Sequence, residues 1–192
     1  MKFILRNIPN ILSGWRLLSF PVLIYFIFTG NRSAFILLLS INLITDILDG
    51  LIARVFKLQT NFGARLDSLA DMGTYIAAFT AFIVLEWPFV SSKAVAFSVL
   101  IIMWILPQLI SIIRFRKPPH FHLWSNKFAG YVQGIFIFTY FNWGNSEIYF
   151  WIMWNISILA FLEELIVAVR IPKLRSDLKG IYWMMREQGK IA

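Results

Sequence analysis

Apolar residues in this chain come in long blocks rather than in alternation. Six stretches have the near-continuous character of membrane helices: residues 11–29, 33–53, 64–86, 94–114, 128–143 and 148–169. A hydrocarbon core about 30 Å thick needs roughly 20 apolar residues per helix. The fifth stretch is the weakest, because it runs short and contains Gly130, Gly134 and Asn142. Asn31, Pro88, Pro118-Pro119 and Gly144-Asn145 fall in the gaps, where the chain must turn. The pattern predicts an all-α polytopic membrane protein, a bundle of six transmembrane helices forming a single domain over residues 1–192. Residues 170–192 are too polar to span. A helix starting at Pro172 is predicted there, with Leu174, Leu178, Ile181, Tyr182 and Met185 near one face. That makes the tail an amphipathic segment lying on the membrane surface. Apolar residues run on past Pro9 with no small-residue cleavage pattern, so no cleavable signal peptide is expected.

Composition agrees with the blocks. The chain is 59% hydrophobic and only 15% charged, against about 45–50% and about 25% in soluble domains. Too few polar residues remain to coat a water-facing surface, and the 17% aromatic content excludes a disordered or fibrous chain. The absence of cysteine excludes a disulfide framework and thiolate chemistry, and leaves the compartment open. A net charge of +8 would suggest nucleic acid in a soluble protein, but its distribution points to the bilayer as partner instead. Lys2, Arg6 and Arg16 lie at or near the N-terminus; Arg54, Lys57 and Arg65 lie in or beside the second connection. Arg114, Arg116, Lys117 and Lys127 surround the fourth, and Arg170, Lys173, Arg175, Lys179, Arg186 and Lys190 fill the tail. The remaining connections hold only Arg32 and Lys93, with Glu86 and Glu147. Cytoplasmic loops carry the basic excess, so both termini are expected on the cytoplasmic side, which an even number of spans requires.

Four of the five Asp residues fall between Asp46 and Asp71. Asp46 and Asp49 are three apart near the end of the second stretch; Asp67 and Asp71 are four apart near the start of the third. Each pair shares a helix face at these spacings. A short connection makes the two helices antiparallel neighbours, with the pairs facing one another at the cytoplasmic end. Buried charges must be paired or hold a metal. Hard carboxylate ligands suit Mg²⁺ or Mn²⁺, and two pairs suggest two divalent cations. Capping residues in a solvated loop explain one such Asp but not four. A small cation channel or transporter using the acidic cluster is the rival of another class. The neighbours favour a different ligand: Gly50, Ala53 and Gly63 keep the surroundings small, and Arg54 supplies a cation suited to phosphate. Together they describe a site for a metal-bound nucleotide diphosphate.

Asp46-x2-Asp49-Gly50-x2-Ala53-Arg54-x8-Gly63-x3-Asp67-x3-Asp71 resembles the complete signature of the CDP-alcohol phosphotransferases. The resemblance implies an integral membrane enzyme, usually a homodimer, that moves a phosphatidyl group from CDP-diacylglycerol to a small polar alcohol and releases CMP. It implies a multi-pass protein of the prokaryotic cytoplasmic membrane with its active site at the cytoplasmic rim. By position, Asp46, Asp49, Asp67 and Asp71 become the metal-binding acids, and Asp71 also the catalytic general base. Asp46, Asp49, Gly50, Ala53, Arg54, Gly63 and Asp67 become the nucleotide-binding set.

The acceptor is less legible. The opening NIPNILSGWR, with Asn10, Ser13 and Arg16 on one helical face, is similar to phosphatidylglycerophosphate-synthase-type members. LDSLAD around Asp67 and Asp71 is closer to phosphatidylserine-synthase-type members. Glycerol 3-phosphate is the favoured acceptor, with serine or an inositol phosphate as alternatives. Asn10, Arg16, Arg114 and Lys127 are the candidate acceptor-binding residues, the last two because cations at the cytoplasmic rim suit an acceptor phosphate. His120 and His122 read as loop residues, Glu163 and Glu164 carry no assigned role, and Trp143, Tyr149 and Trp151 read as an interfacial belt.

Overall fold

The computed structural model describes residues 2–56, 58, 60–116, 123–144, 146–171, 178–187 and 189; the side chains of residues 2–6, 54, 61 and 64 lie outside that description. Among the described residues the regular elements are all α-helices: α1 (Lys2–Phe28), α2 (Arg32–Val55), α3 (Asn61–Leu85), α4 (Trp87–Ser92), α5 (Ala94–Phe115), α6 (Trp124–Trp143), α7 (Glu147–Arg170) and α8 (Ile181–Glu187). All six predicted spans are helices, with ends displaced by a few residues. The exception is α1, which begins nine residues before the apolar run. Hydropathy marks where a helix enters hydrocarbon, not where its hydrogen bonding starts.

Five helices hold segments long and apolar enough to cross a bilayer: Asn7–Phe28, Arg32–Ala53, Arg65–Leu85, Ala94–Phe115 and Glu147–Arg170. The chain is therefore an all-α, multi-pass integral membrane protein. The predicted fifth span corresponds to α6, which is not among the five. Its 20 residues extend about 30 Å at the α-helical rise, so composition sets it apart rather than length. The polar side chains responsible are used inside the fold. Gln133 Nε2 donates to Ser157 Oγ at 2.8 Å and Asn126 Nδ2 donates to Glu164 Oε2 at 2.7 Å, both on α7. Thr139 Oγ1 and Asn142 Nδ2 donate back to carbonyls of α6 itself. Interhelical hydrogen bonds of this kind hold membrane bundles together.

The chain forms two compact units, residues 1–92 and 93–192. In the first, α1 packs against both α2 and α3, more extensively than these pack on each other. Ser13, Arg16, Ser19, Leu23 and Ile27 are buried on α1, in steps of three or four residues that make one seam. Phe35, Leu39, Asn42 and Asp49 continue the seam on α2. On α3 most of the buried residues are small (Ala70, Thr74, Ala77, Ala78, Ala81), which lets the backbones approach, with Phe82 the large exception. A Cβ on Gly73 would already stand 3.4 Å from the Phe20 ring of α1. Arg32, at the start of α2, pairs with Glu86 beyond α3 at 3.0 Å.

In the second unit, α7 packs on α5 and α6. Phe150 is fully buried between the rings of Phe97 and Phe136, at 5.6 and 5.9 Å between centroids. Trp154 Nε1 donates to Ala96 O at 2.9 Å, and Lys93 pairs with Glu147 at 2.5 Å. At the opposite ends of α5 and α7, Leu123, Val167, Ala168, Ile171, Leu178 and Met184 form a buried cluster flanked by Ile110, Phe115, Ile181 and Met185. This revises the tail. Pro172 and Leu174 lie outside the described residues, and the observed helix is Ile181–Glu187. Its apolar side rests on α7, because Leu178 and Met184 complete that cluster instead of facing lipid. Tyr182 and Trp183 stay exposed. Glu163 Oε1 accepts the Ile181 N–H at 2.7 Å, holding the start of α8 to α7.

Candidate active site

The site is assembled by α1, α2 and α3. Asp46 and Asp49 lie nine and six residues before the end of α2; Asp67 and Asp71 lie in the second and third turns of α3. The structure brings all four together, and the cation at their centre comes from α1. Arg16 Nη1 lies 2.7 Å from Asp46 Oδ1 and 2.6 Å from Asp71 Oδ1. Arg16 Nη2 lies 3.0 Å from Asp49 Oδ2 and 2.5 Å from Asp67 Oδ1. The Arg16 side chain is 1% exposed and that of Asp49 2%, whereas those of Asp46, Asp67 and Asp71 are 40%, 42% and 41% exposed. Three acids therefore open outward and the fourth, with the arginine, forms the floor.

Supporting contacts hold the floor in place. Ser13 Oγ lies 3.1 Å from both Asp49 Oδ2 and Pro9 O, so its proton is shared between them. Ser19 Oγ donates to Arg16 O at 2.8 Å, and Asn42 Nδ2 of α2 donates to Ser19 Oγ at 2.6 Å. Thr60 caps α3 by accepting the Gly63 N–H at 3.0 Å. Gly63 lets α1 and α3 approach closely. A Cβ there would collide with Asn10 Oδ1 of α1 and stand 3.0 Å from Thr60 Oγ1. Gly50 and Ala53 are half-buried on the last two turns of α2. Arg54 follows them in the helix, with its side chain outside the described residues.

The donor set suits a divalent cation. Asp46, Asp49 and Asp67 each offer an oxygen within 4.8 Å of the others. These are hard ligands drawn from two helices, appropriate to Mg²⁺ or Mn²⁺. Arg114 and Lys127 belong to the second unit. Arg114 Nη1 donates to Ala168 O and Val169 O at the end of α7, and Lys127 is exposed in the first turn of α6. His120 and His122 lie outside the described residues.

Sequence reasoning finds the four acids and the small residues around them, but misses the way α1 completes the cluster. Ser13 carries no role there, and Arg16 is read as an acceptor contact. Ser19 and Asn42 go unremarked. The available signal is simple: polar residues at 13, 16 and 19 inside an apolar run need partners in the bundle.

Known proteins place these residues in context. A protein-family model described as CDP-alcohol phosphatidyltransferase matches residues 6–162. The chain is similar to proteins named CDP-diacylglycerol–glycerol-3-phosphate 3-phosphatidyltransferase. That of Aquifex aeolicus is 36% identical over 87 residues, 45% of this chain and 46% of the relative. That of Rickettsia typhi is 39% identical over 70 residues, 35% and 39% of the two chains. That of Cereibacter sphaeroides is 41% identical over 76 residues, 38% and 34%. Each match thus covers less than half the length of the curated relative. No solved structure matches. With most of its length, residues 6–162, matched by one family model, the chain belongs to the CDP-alcohol phosphatidyltransferase family.

Proposed function

We propose that this protein transfers the phosphatidyl group of CDP-diacylglycerol to glycerol 3-phosphate and releases CMP. The observation that carries this reading is the convergence of Asp46, Asp49, Asp67 and Asp71 from two helices onto one point. The names of the relatives support glycerol 3-phosphate as the acceptor.

The four acids would hold two divalent cations, Mg²⁺ or Mn²⁺, which when bound neutralise the diphosphate and stabilise the departing CMP. The chain's own groups do the rest. Asp71, half-exposed at the mouth, takes the proton of the acceptor hydroxyl as that oxygen bonds to the phosphatidyl phosphorus. The bond from phosphorus to the CMP oxygen breaks, and CMP leaves with the electron pair. Gly50 and Ala53 keep the walls low for the nucleotide, Arg54 contacts its phosphates, and Gly63 makes room for Asn10 at the edge of the nucleotide site. The protein works as a homodimer in a prokaryotic cytoplasmic membrane, with the acids and both termini facing the cytoplasm.

The test is CMP release by the purified protein from CDP-diacylglycerol with Mg²⁺ or Mn²⁺, across glycerol 3-phosphate, serine and an inositol phosphate. Glycerol 3-phosphate is expected to be fastest. A faster rate with serine or the inositol phosphate reassigns the acceptor, and no CMP with any of them overturns the enzyme reading.

A further inference from the structure

Each terminal nitrogen of Arg16 joins one acid of α2 to one acid of α3: Nη1 joins Asp46 to Asp71, and Nη2 joins Asp49 to Asp67. The planar guanidinium therefore cross-links two helices that pack little on each other directly. Four carboxylates this close repel one another strongly at low dielectric, and a buried arginine offsets that repulsion at its centre. Its backbone is fixed as well, through the Ser19 bond to Arg16 O and the Asn42 bond to Ser19. Arg16 is 1% exposed, and the described hydrogen bonds of its guanidinium all go to the acids. We propose that Arg16 is a positioning residue, a resident counter-ion that sets the spacing of the four carboxylates and limits how strongly they draw divalent cations. This rests on the metal-site reading above and deepens it: the site is built by the chain itself, and added cations enter a frame already in place.

The consequence is a specific response to metal. In wild-type protein Arg16 already supplies part of the neutralisation, so Mn²⁺ raises the melting temperature modestly. In Arg16→Gln the acids are left without it, and divalent cations must do more. Purified wild type and Arg16→Gln are melted in EDTA and in a Mn²⁺ series, with Mn²⁺ uptake followed by electron paramagnetic resonance. The variant is expected to melt about 10 °C lower in EDTA and to show a Mn²⁺-induced rise at least twice that of wild type. A variant that melts with wild type in EDTA overturns the proposal. So does one that is destabilised but rises by the same amount with Mn²⁺, the behaviour of a residue that merely packs. A variant altered only in its KM for the acceptor also overturns it, in favour of an acceptor contact. Should Arg16→Gln fail to accumulate, Arg16→Lys keeps the charge but not the fork. It is expected to melt between the two and still to exceed the wild-type rise, and equality with wild type on both counts overturns the proposal. Failure of the metal reading is recognised separately, as wild-type protein taking up no Mn²⁺, and the EDTA comparison then decides the role of Arg16 alone.

Discussion

Asp71 and Gly63 differ in how a single changed atom group would be felt. Asp71 is half-exposed, so Asp71→Asn keeps its shape and leaves the buried floor of Asp49 and Arg16 in place. CMP release is expected to fall by about 10²–10⁴-fold, the usual contribution of a general base, while Asp46, Asp49 and Asp67 still take up Mn²⁺; full activity in this variant removes the base assignment. Gly63→Ala acts through space alone. The added methyl meets Asn10 Oδ1 and the Thr60 cap, so stability should drop by about 1–3 kcal/mol, as overpacking does. Trimming the opposing group in an Asn10→Ala, Gly63→Ala double variant should restore most of the loss, and a melting curve reads it directly. The acids are legible in the sequence because carboxylates are rare in an apolar chain and helical spacing says which share a face. The spacing is silent on which helix comes between them. Asp46, Asp49, Asp67 and Asp71 can therefore be paired from sequence, whereas Ser13 and Arg16 become their partners only once α1 is packed.

Among the helices, the apolar blocks locate the elements well and say little about the partners of two of them. Hydropathy cannot value α6 correctly, since Gln133 and Asn126 are polar in sequence yet bonded to Ser157 and Glu164 in the fold. It also gives α8 an apolar face without saying what covers it. Leu178 and Met184 join the cluster under α7, and Glu163 fixes the first N–H of the helix. Glu163→Ala removes that acceptor at a cost of about 1 kcal/mol and should speed tryptic cleavage at Lys179 and Arg186 several-fold. Glu163→Gln retains an amide oxygen and should be cut at the wild-type rate. Equal cleavage of the Ala variant and wild type would show that the apolar contacts alone hold the tail.

Across the molecule, the number of membrane crossings decides where each connection lies. The chain has no cysteine, so single introduced cysteines can be mapped with a membrane-impermeant maleimide without background. With α6 crossing, Asn31→Cys, Ser91→Cys and Ser146→Cys label from one side and Arg116→Cys and Lys179→Cys from the other. If α6 does not cross, Ser146→Cys and Lys179→Cys exchange sides, so these two sites alone discriminate six crossings from five. Six crossings would put Arg32, Lys93, Glu86 and Glu147 in connections on the same side of the membrane, and both cations are paired, Arg32 with Glu86 and Lys93 with Glu147. Those connections sum to zero, so in that topology the whole +8 of the chain would lie on the other side. A charge crossing a membrane potential of 100 mV is worth about 2.3 kcal/mol. Turning the inserted protein over against an interior-negative voltage of that size would therefore cost about 18 kcal/mol from the voltage alone. In that topology the balanced charges of those short connections would leave the +8 side free to follow the voltage, which would then hold the direction of insertion.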